Sequence, residues 1–150
     1  MAQDTRKSGG PGKFSRWMQQ KANTRMNRKI RGGRGQIMGM EVLILNTVGR
    51  RSGQPRATPI AWFADESDGK LVVASGGGDN NPDWHANLVA HPDQATIELP
   101  GEDAVPVTPT VLAGADREAA WQRIATANPR MAKYQSKSDR QYPVIRLTPR

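Results

Sequence analysis

Six short apolar or β-branched runs, each bounded by turn residues, limit the fold of this chain more than any other feature of its sequence. Val42–Leu45 is the clearest, and each run has the length and composition of a strand that is at least half buried. Turn residues at Asp65–Gly69 and Pro100–Asp103 predict two hairpins. Pro106 and Pro109 place the fifth run at an edge or bulge. Because no βαβ unit repeats, we predict an α+β fold with a largely antiparallel sheet. The runs are 42–45, 57–63, 70–75, 95–99, 105–112 and 144–147.

Three segments carry helical signals. Phe14–Ile30 repeats apolar residues at steps of three and four among many basic ones, which predicts an amphipathic helix. It either packs on its own domain or acts as a lid or a membrane-surface helix. Asn81 and Pro82 predict the N-cap and first position of a second helix. Asp116 predicts the cap of a third helix, which Asn128–Pro129 ends.

The chain length allows a single hydrophobic core, since 150 residues leave no room for two. We assign residues 1–35 to a basic leader that contains the first helix and a glycine-rich linker, and residues 36–150 to the barrel domain. No stretch approaches the roughly 20 apolar residues of a membrane span. We therefore expect a cytoplasmic protein.

Composition narrows the chemistry. The chain has no cysteine and only two histidines, His85 and His91, which argues against a metal site and leaves redox chemistry to a bound organic cofactor. The net charge of +8 predicts attraction to nucleic acid, anionic lipid, or a phosphorylated or carboxylated ligand. Charge alone does not choose among these.

The turn between the first two strands concentrates groups that bind anions. It runs from Thr47 to Arg56 and contains Arg50, Arg51, Ser52 and two glycines. Glycines allow close backbone approach, and arginines form paired hydrogen bonds to phosphate or carboxylate. The segment is an anion clamp or, on its own, a solvated basic loop; its spacing excludes a Walker A loop.

Two further segments are candidates. The loop from Ala74 to Pro82 runs through three glycines into a helix start, where a phosphate or a flat ligand can approach the backbone, although glycines also occur in plain flexible loops. On the following helix, Asn87 is an unexpected polar residue beside Trp84. Tyr134 has a hydroxyl that can donate a proton at a reducing centre, or it is simply a packed or surface residue.

Together these motifs resemble the deazaflavin (coenzyme F420)-dependent nitroreductase and quinone reductase family. The resemblance spans Val42 to Pro149, from the basic turn through the glycine loop and Asn81–Trp84 to Tyr134 and Asp139–Arg140. It implies a split β-barrel, of the kind that also binds flavin mononucleotide (FMN), with short helices packed around it. It also implies F420, whose phosphate and oligoglutamate tail are acidic.

The resemblance assigns roles to individual residues. It implies that the cofactor is bound by Arg50, Arg51, Ser52, Gln54, Arg56, Pro59, Ser75, Gly76, Gly77, Trp84 and Asn87. It implies that Ala61, Asn128, Met131 and Tyr134 line the substrate pocket. Tyr134 and Ser75 are the candidate catalytic residues.

The sequence departs from the nitroreducing members at three pocket positions. Asn128 and Met131 stand where those enzymes have tyrosines, and Ala61 replaces a bulky aromatic residue. The glycine loop is about one residue shorter, and Gly76 stands where a lysine can occur. These changes favour an enone, unsaturated lactone or quinone as hydride acceptor over a nitro compound.

Several alternatives stay open at this point. An FMN-dependent reductase on the same barrel would use the same clamp for a ribityl phosphate. A basic nucleic-acid-binding module is less favoured, because aromatic residues are few and form no stacking array. We expect a small-molecule substrate, a monomer, and a peripheral contact of the first helix with an anionic membrane.

Overall fold

The structure, a computed structural model, describes the backbone of residues 13–76 and 80–150 and their side chains from Met18 onward. Gly77 and the leader before residue 13 lie outside these ranges. Within them, eight antiparallel strands form one continuous sheet, with four α-helices and a 3₁₀ helix around it. The strands are β1 (Gln36–Ile37), β2 (Met40–Val48), β3 (Pro55–Ala61), β4 (Phe63–Ala64), β5 (Lys70–Val73), β6 (Thr96–Glu98), β7 (Val105–Val111) and β8 (Val144–Pro149). The helices are α1 (Lys13–Arg31), α2 (Asp83–Ala90), α3 (Gly114–Ala127) and α4 (Pro129–Ser136), and the 3₁₀ helix is Pro92–Gln94.

The sheet bends where strands change partners. Its hydrogen-bonded order is β1-β2-β6-β7-β8-β5-β4, and β3 pairs with β2. β7 pairs with β6 over Val105–Pro106 and with β8 over Val107–Val111, so it belongs to both halves of the sheet. On the other side, Trp62 alone separates β3 from β4, which again belong to different halves. These two changes of partner produce the curvature of a partly closed barrel.

β2 divides the core, because successive side chains of a strand point to opposite faces. Leu43 and Leu45 belong to the main cluster, the barrel cluster, together with Trp84 and Leu88 of α2. Val42 and Ile44 contact Ile30 of α1 instead, in a second cluster. The C-terminal half of α1 therefore packs on the barrel as the amphipathic pattern allowed, and Asn27 Nδ2 donates to Ala57 O at 3.2 Å.

A third cluster joins α3 to the sheet. Ala120 and Ile124 of α3 are fully buried against Leu71, Leu112 and Val144. α3 therefore packs on the sheet through the face that carries Ala120 and Ile124.

All six predicted runs form strands, but two predictions need correction. The predicted hairpin across Asp65–Gly69 forms only next to its turn, where Phe63 pairs with Leu71 and Ala64 with Lys70; the rest of the run 57–63 lies in β3, which pairs with β2. β7 is not at an edge of the sheet despite Pro106 and Pro109. Each part of β7 pairs mainly along one side, and this is why a residue without an N–H is tolerated there.

The predicted helix starts also need correction. Pro82, not Asn81, is the N-cap of α2, and Ala113, not Asp116, is the N-cap of α3. Asn128 does end α3, but Pro129 then begins α4, and the Asn128 side chain accepts a hydrogen bond from the Arg130 amide. A proline at the first helical position starts a helix as readily as it stops one, so the sequence pattern was ambiguous there.

Candidate functional site

The turn that joins β2 to β3, residues 49–56, is closed by its own hydrogen bonds and is called the basic turn below. Gly49 N donates to Gln54 O at 2.8 Å, and Gly53 N donates to Gly49 O at 2.9 Å. Gln54 N donates to Ser52 Oγ at 3.1 Å. A Cβ on Gly49 would lie 2.6 Å from Ser52 Oγ, and Gly53 has a φ of +69°. Gly53 therefore has the left-handed backbone that favours glycine, and a side chain at position 49 would require the Ser52 hydroxyl to shift.

Asn87 connects the basic turn to α2. Its Oδ1 accepts from the Arg50 amide and from Arg50 Nη1, each at 3.0 Å. Arg50 Nη2 also lies 3.5 Å from Asp83 Oδ1. Asn87 is only 4% exposed, so this polar residue on the buried face of α2 is explained by the turn that it anchors. Arg50 is thus a structural link, and its charge is partly neutralised within the protein.

The remaining polar side chains of the basic turn are exposed: those of Arg51, Ser52, Gln54 and Arg56. The Ser52 hydroxyl already accepts a hydrogen bond from Gln54 N, so its proton is available for a ligand. Two guanidinium groups and a hydroxyl on one rigid turn can bind a phosphate or a carboxylate.

Residues 74–76 and 80–81, which flank positions outside the described ranges, are called the glycine loop, and Arg140 binds four of these five residues. Arg140 Nη1 donates to Ala74 O at 3.0 Å and to Asn81 Oδ1 at 2.6 Å. Arg140 Nη2 donates to Ser75 O at 3.2 Å and to Gly76 O at 3.0 Å. We predicted no role for Arg140 from the sequence. The only available signal was its place in the family motif.

The two loops meet at the N-terminal end of α2. Asn81, just before the helix, contacts Arg140, whereas Asp83 and Asn87 contact Arg50. Trp84 lies between them in sequence but packs into the barrel cluster at 9% exposure. Trp84 is therefore a core residue, and it supports the site by packing α2 on the barrel.

Pro59 and Ala61 lie on one face of β3. Pro59 pairs with Ile44 and Ala61 with Val42, the two β2 residues that contact α1. Directly opposed residues share a face, so Pro59 and Ala61 are on the α1 side of the sheet. Both are half-buried.

α3 and α4 carry the other predicted pocket residues. Tyr134 of α4 is 53% exposed. Met131 is half-buried against the α3 cluster, and Asn128 Nδ2 lies 3.5 Å from Met40 Sδ. Asn128 therefore has a clear structural role as a cap between two helices, beside any contact with substrate.

His85 is the titratable side chain that the site perturbs. It is half-buried. Burial, and secondarily the positive charge of Arg140, lower the pKa of His85 below its ordinary value. His85 is thus favoured in its neutral form beside the glycine loop.

Metal-binding side-chain groups and membrane-spanning helices are both absent from the described residues. These residues contain no group of three His, Asp or Glu side chains that could hold a metal ion. None of their helices is long and apolar enough to cross a membrane.

Comparison with known proteins identifies the family of this chain. The family model of F420H(2)-dependent quinone reductases matches residues 17–149. An F420H(2)-dependent quinone reductase of Mycobacterium tuberculosis is 34% identical over 149 residues, covering 91% of this chain and 99% of that protein. The solved structure of an F420-H2 dependent reductase, FDR-A, is 31% identical with a TM-score of 0.61, covering 71% of this chain and 92% of that one. A solved domain-swapped dimer is 26% identical with a TM-score of 0.62, covering 89% and 98%.

The antiparallel sheet and the likeness to FDR-A confirm the predicted α+β class and the split β-barrel. The family model covers nearly the whole of the described chain, including the basic turn, the glycine loop and α4. The chain belongs to the F420H(2)-dependent quinone reductase family, and it is an oxidoreductase of that family.

Proposed function

We propose that this chain transfers a hydride from reduced coenzyme F420 to a quinone or another electron-poor small molecule, such as an enone or unsaturated lactone. The observation that carries the proposal is the meeting of two ligand-binding loops at one end of α2. Asn87 attaches the basic turn, on which Arg51 and Arg56 are exposed, to this helix, and Arg140 attaches the glycine loop to Asn81, two residues before the helix.

The chemistry of the donor set fits F420. The phosphate and oligoglutamate tail of this cofactor are anionic, and Arg51, Ser52 and Arg56 form an exposed set of cationic and hydroxyl donors. Asn87 holds the turn on α2, so these donors are positioned before a ligand arrives. An FMN phosphate would suit the same donors, and FMN therefore remains the alternative cofactor to be tested.

We assign different residues of the chain to the two ends of the cofactor. F420 in its reduced form supplies the hydride when bound. We assign binding of the anionic tail to the basic turn, with Gln54 as a further polar contact. We assign orientation of the ring to Pro59, Ser75 and the adjacent glycines, with Trp84 and Asn87 as support from α2. The proton that follows the hydride comes from Tyr134 Oη, Ser75 Oγ or water.

The acceptor pocket is assigned to Ala61, Asn128, Met131 and Tyr134. At three of these positions, Ala61, Asn128 and Met131, the side chain is smaller or more polar than the aromatic residue of the nitroreducing members, which leaves more space for a quinone. We therefore expect quinones and enones to be reduced faster than nitroimidazoles. Equal or faster reduction of nitroimidazoles would contradict this assignment.

The experiment is a fluorescence titration with F420 and, separately, with FMN. Replacement Arg56→Ala should weaken F420 binding roughly tenfold, the effect of one charge-assisted hydrogen bond. Arg150→Ala is the matched control, because it removes the same charge from a residue that donates to Asp93 O, outside both loops. Binding of FMN but not F420 would replace the cofactor. Salt-sensitive binding of DNA or RNA, with neither cofactor bound, would favour the nucleic-acid module.

We also propose a peripheral cytoplasmic location, in which α1 contacts anionic lipid. Arg25, Arg28 and Lys29 are exposed on α1, and its last turn is basic. Arg25→Glu with Arg28→Glu should abolish co-sedimentation with phosphatidylglycerol vesicles and leave F420 binding intact. Unchanged co-sedimentation would exclude α1 as the contact.

We propose that the chain is a monomer, although one structural relative is a domain-swapped dimer. Light scattering should give a mass near the 16.4 kDa of one chain. A mass of twice this value at micromolar concentration would show that the chain resembles that relative in its assembly.

A further inference from the structure

We propose that Arg140 is a positioning residue that sets the conformation of the glycine loop and thereby the orientation of the cofactor. The inference rests on the proposed function, because it takes the ligand of the loop to be the cofactor ring. It adds a residue that belongs neither to the basic turn nor to the predicted cofactor and substrate contacts.

The geometry at Arg140 is specific to a guanidinium group. Its two terminal nitrogens carry four hydrogens, and each has an acceptor: Ala74 O, Ser75 O, Gly76 O and the Asn81 side chain. Arg140 therefore binds three successive carbonyl oxygens and also Asn81, two residues before α2. A lysine ammonium is a compact point charge with three donors and could not span this set.

Because three successive carbonyl oxygens accept from one guanidinium group, the backbone of the loop bends around that group. Successive carbonyls of an extended strand point to alternate sides, so the chain must leave the β5 conformation here. Within a planar trans peptide the N–H points away from the C=O. The amides of Ser75 and Gly76 consequently face away from Arg140, where they can donate to a ligand on the outer side of the loop.

Arg140 is itself held in place by α4. Gln135 Nε2 donates to Arg140 O at 2.8 Å, and Gln135 Oε1 accepts from Tyr142 N at 2.8 Å. The Tyr142 ring lies 5.0 Å from the Arg140 guanidinium, within cation–π distance. The arginine is thus preorganised by its surroundings.

This arrangement connects the two proposed proton donors. Tyr142 Oη donates to Tyr134 O at 3.3 Å, and Arg140 Nη2 donates to Ser75 O. α4, which carries Tyr134, and the loop that carries Ser75 are therefore joined through one segment, residues 140–142. Loss of the guanidinium should disturb the relative position of cofactor and acceptor more than it disturbs the fold.

The experiment compares Arg140→Ala and Arg140→Lys with Arg117→Ala. Arg117 is a matched control, since it also donates to a backbone carbonyl, Tyr142 O at 2.7 Å, and lies 5.5 Å from a Trp121 ring, but it does not contact the glycine loop. The readouts are F420 affinity and the single-turnover rate of hydride transfer to a water-soluble naphthoquinone. Arg140→Ala should lower the rate by about 100-fold, as expected for a misplaced reactant.

Two results distinguish a positioning role of Arg140 from a general structural role. Guanidinium ion added at millimolar concentration should partly restore the rate of Arg140→Ala, whereas sodium at the same ionic strength should not. Arg140→Lys should stay impaired although it keeps the charge. A folded Arg140→Ala protein with wild-type rate, or an equal loss in Arg117→Ala, would overturn the proposal.

A cofactor-independent measurement keeps this inference distinct from the proposed function. The backbone ¹³C′ chemical shifts of Ala74, Ser75 and Gly76 should change in Arg140→Ala and Arg140→Lys but not in Arg117→Ala. If wild-type protein binds no F420, the proposed function fails, and the shifts still test whether Arg140 sets the loop. Unchanged shifts in both Arg140 variants would refute it whatever the cofactor.

Discussion

The basic turn and the glycine loop lie at the same end of α2, but they are held in shape in opposite ways. The basic turn closes through hydrogen bonds between residues 49 and 54. The glycine loop depends on Arg140, which is 64 to 66 residues away from the three carbonyls that it binds. The hydrogen bonds that close the basic turn are local, although Asn87 also fixes Arg50 to α2, whereas the described part of the glycine loop is bound by a distant side chain.

This difference suggests how each loop can fail. A change inside the basic turn should alter that turn, and the effect should stay local. The glycine loop should respond to changes far away in sequence, at Arg140 or at the residues that hold it.

Asp65 offers a reference point outside both loops. Its side chain is 2% exposed, accepts a hydrogen bond from Arg146 Nε, and lies 3.6 Å from Arg123 Nη1. Asp65→Ala should lower the free energy of unfolding by about 3 kcal/mol, because it leaves two guanidinium groups without their buried partner. Urea unfolding measures this. The F420 affinity of the folded protein should not change; a parallel loss of affinity would mean that stability and loop geometry cannot be separated.

The same carboxylate predicts a pH dependence. Burial opposes ionisation of Asp65, but hydrogen bonds from Arg146 and from the Glu66 backbone, with the charges of both arginines, outweigh burial and lower the pKa of Asp65. Stability from this group is therefore present above the unfolded value of about pH 4 and is lost as the pH falls through the lower, folded value. Asp65→Asn should remove that part of the acid sensitivity.

Asn87→Ala should break the connection between the basic turn and α2. It removes the acceptor of two hydrogen bonds from Arg50, one of them charged, and should cost about 2 kcal/mol of stability. F420 affinity should fall with it. Asn87→Asp keeps the acceptor and is the control. The ¹³C′ shifts of the glycine loop should stay constant in both variants, and a change there would show that the two loops are coupled through α2.

Gly49→Ala tests whether the closure of the basic turn depends on local contacts. The added methyl group would meet Ser52 Oγ, and we expect a loss of about 1 kcal/mol from overpacking. Ser52→Ala introduced with it should recover part of that loss, because the colliding hydroxyl is gone. Thermal unfolding of the two single variants and the double variant measures the coupling. Strictly additive losses would argue against a local clash.

His85→Gln should have the smallest effect, on the pH dependence of stability. The pKa of His85 is lowered by burial and by Arg140, so its contribution is complete above the unfolded value of about pH 6.5 and is lost as the pH falls through the folded one. Wild-type protein should lose stability between about pH 7 and pH 5 more than His85→Gln does. Equal slopes in wild type and His85→Gln would contradict the prediction.

Much of the fold and the family could be predicted from local patterns. Strands β2 and β8 follow from short β-branched runs, and α1 from a periodic apolar face that Ile30 buries. The basic turn was also predictable as a turn, because its two glycines and its polar residues lie next to each other in the chain. The motifs of the loops and of α4 identified the F420-dependent family, which the family model confirms.

Pairing and contact between distant segments were not predictable in the same way. The sequence indicated a hairpin between the second and third runs, but β3 pairs with β2, because the register that buries Leu43 and Leu45 is decided by the whole barrel. Likewise α4 was missed, since Pro129 could end one helix or begin another. Which of the assigned residues touch cofactor and substrate stays a prediction.

The sequence alone predicts the strand runs, the basic turn, the basic helix and the family, because each depends on residues close together in the chain or on a motif. The tertiary structure alone decided that Asn87 anchors Arg50, that Pro59 and Ala61 lie on the α1 side of the sheet, and that Arg140 organises the glycine loop. The physical reason is that a side chain's hydrogen bonds depend on which segments the fold brings within about 3 Å of it, and local periodicity carries no information about that.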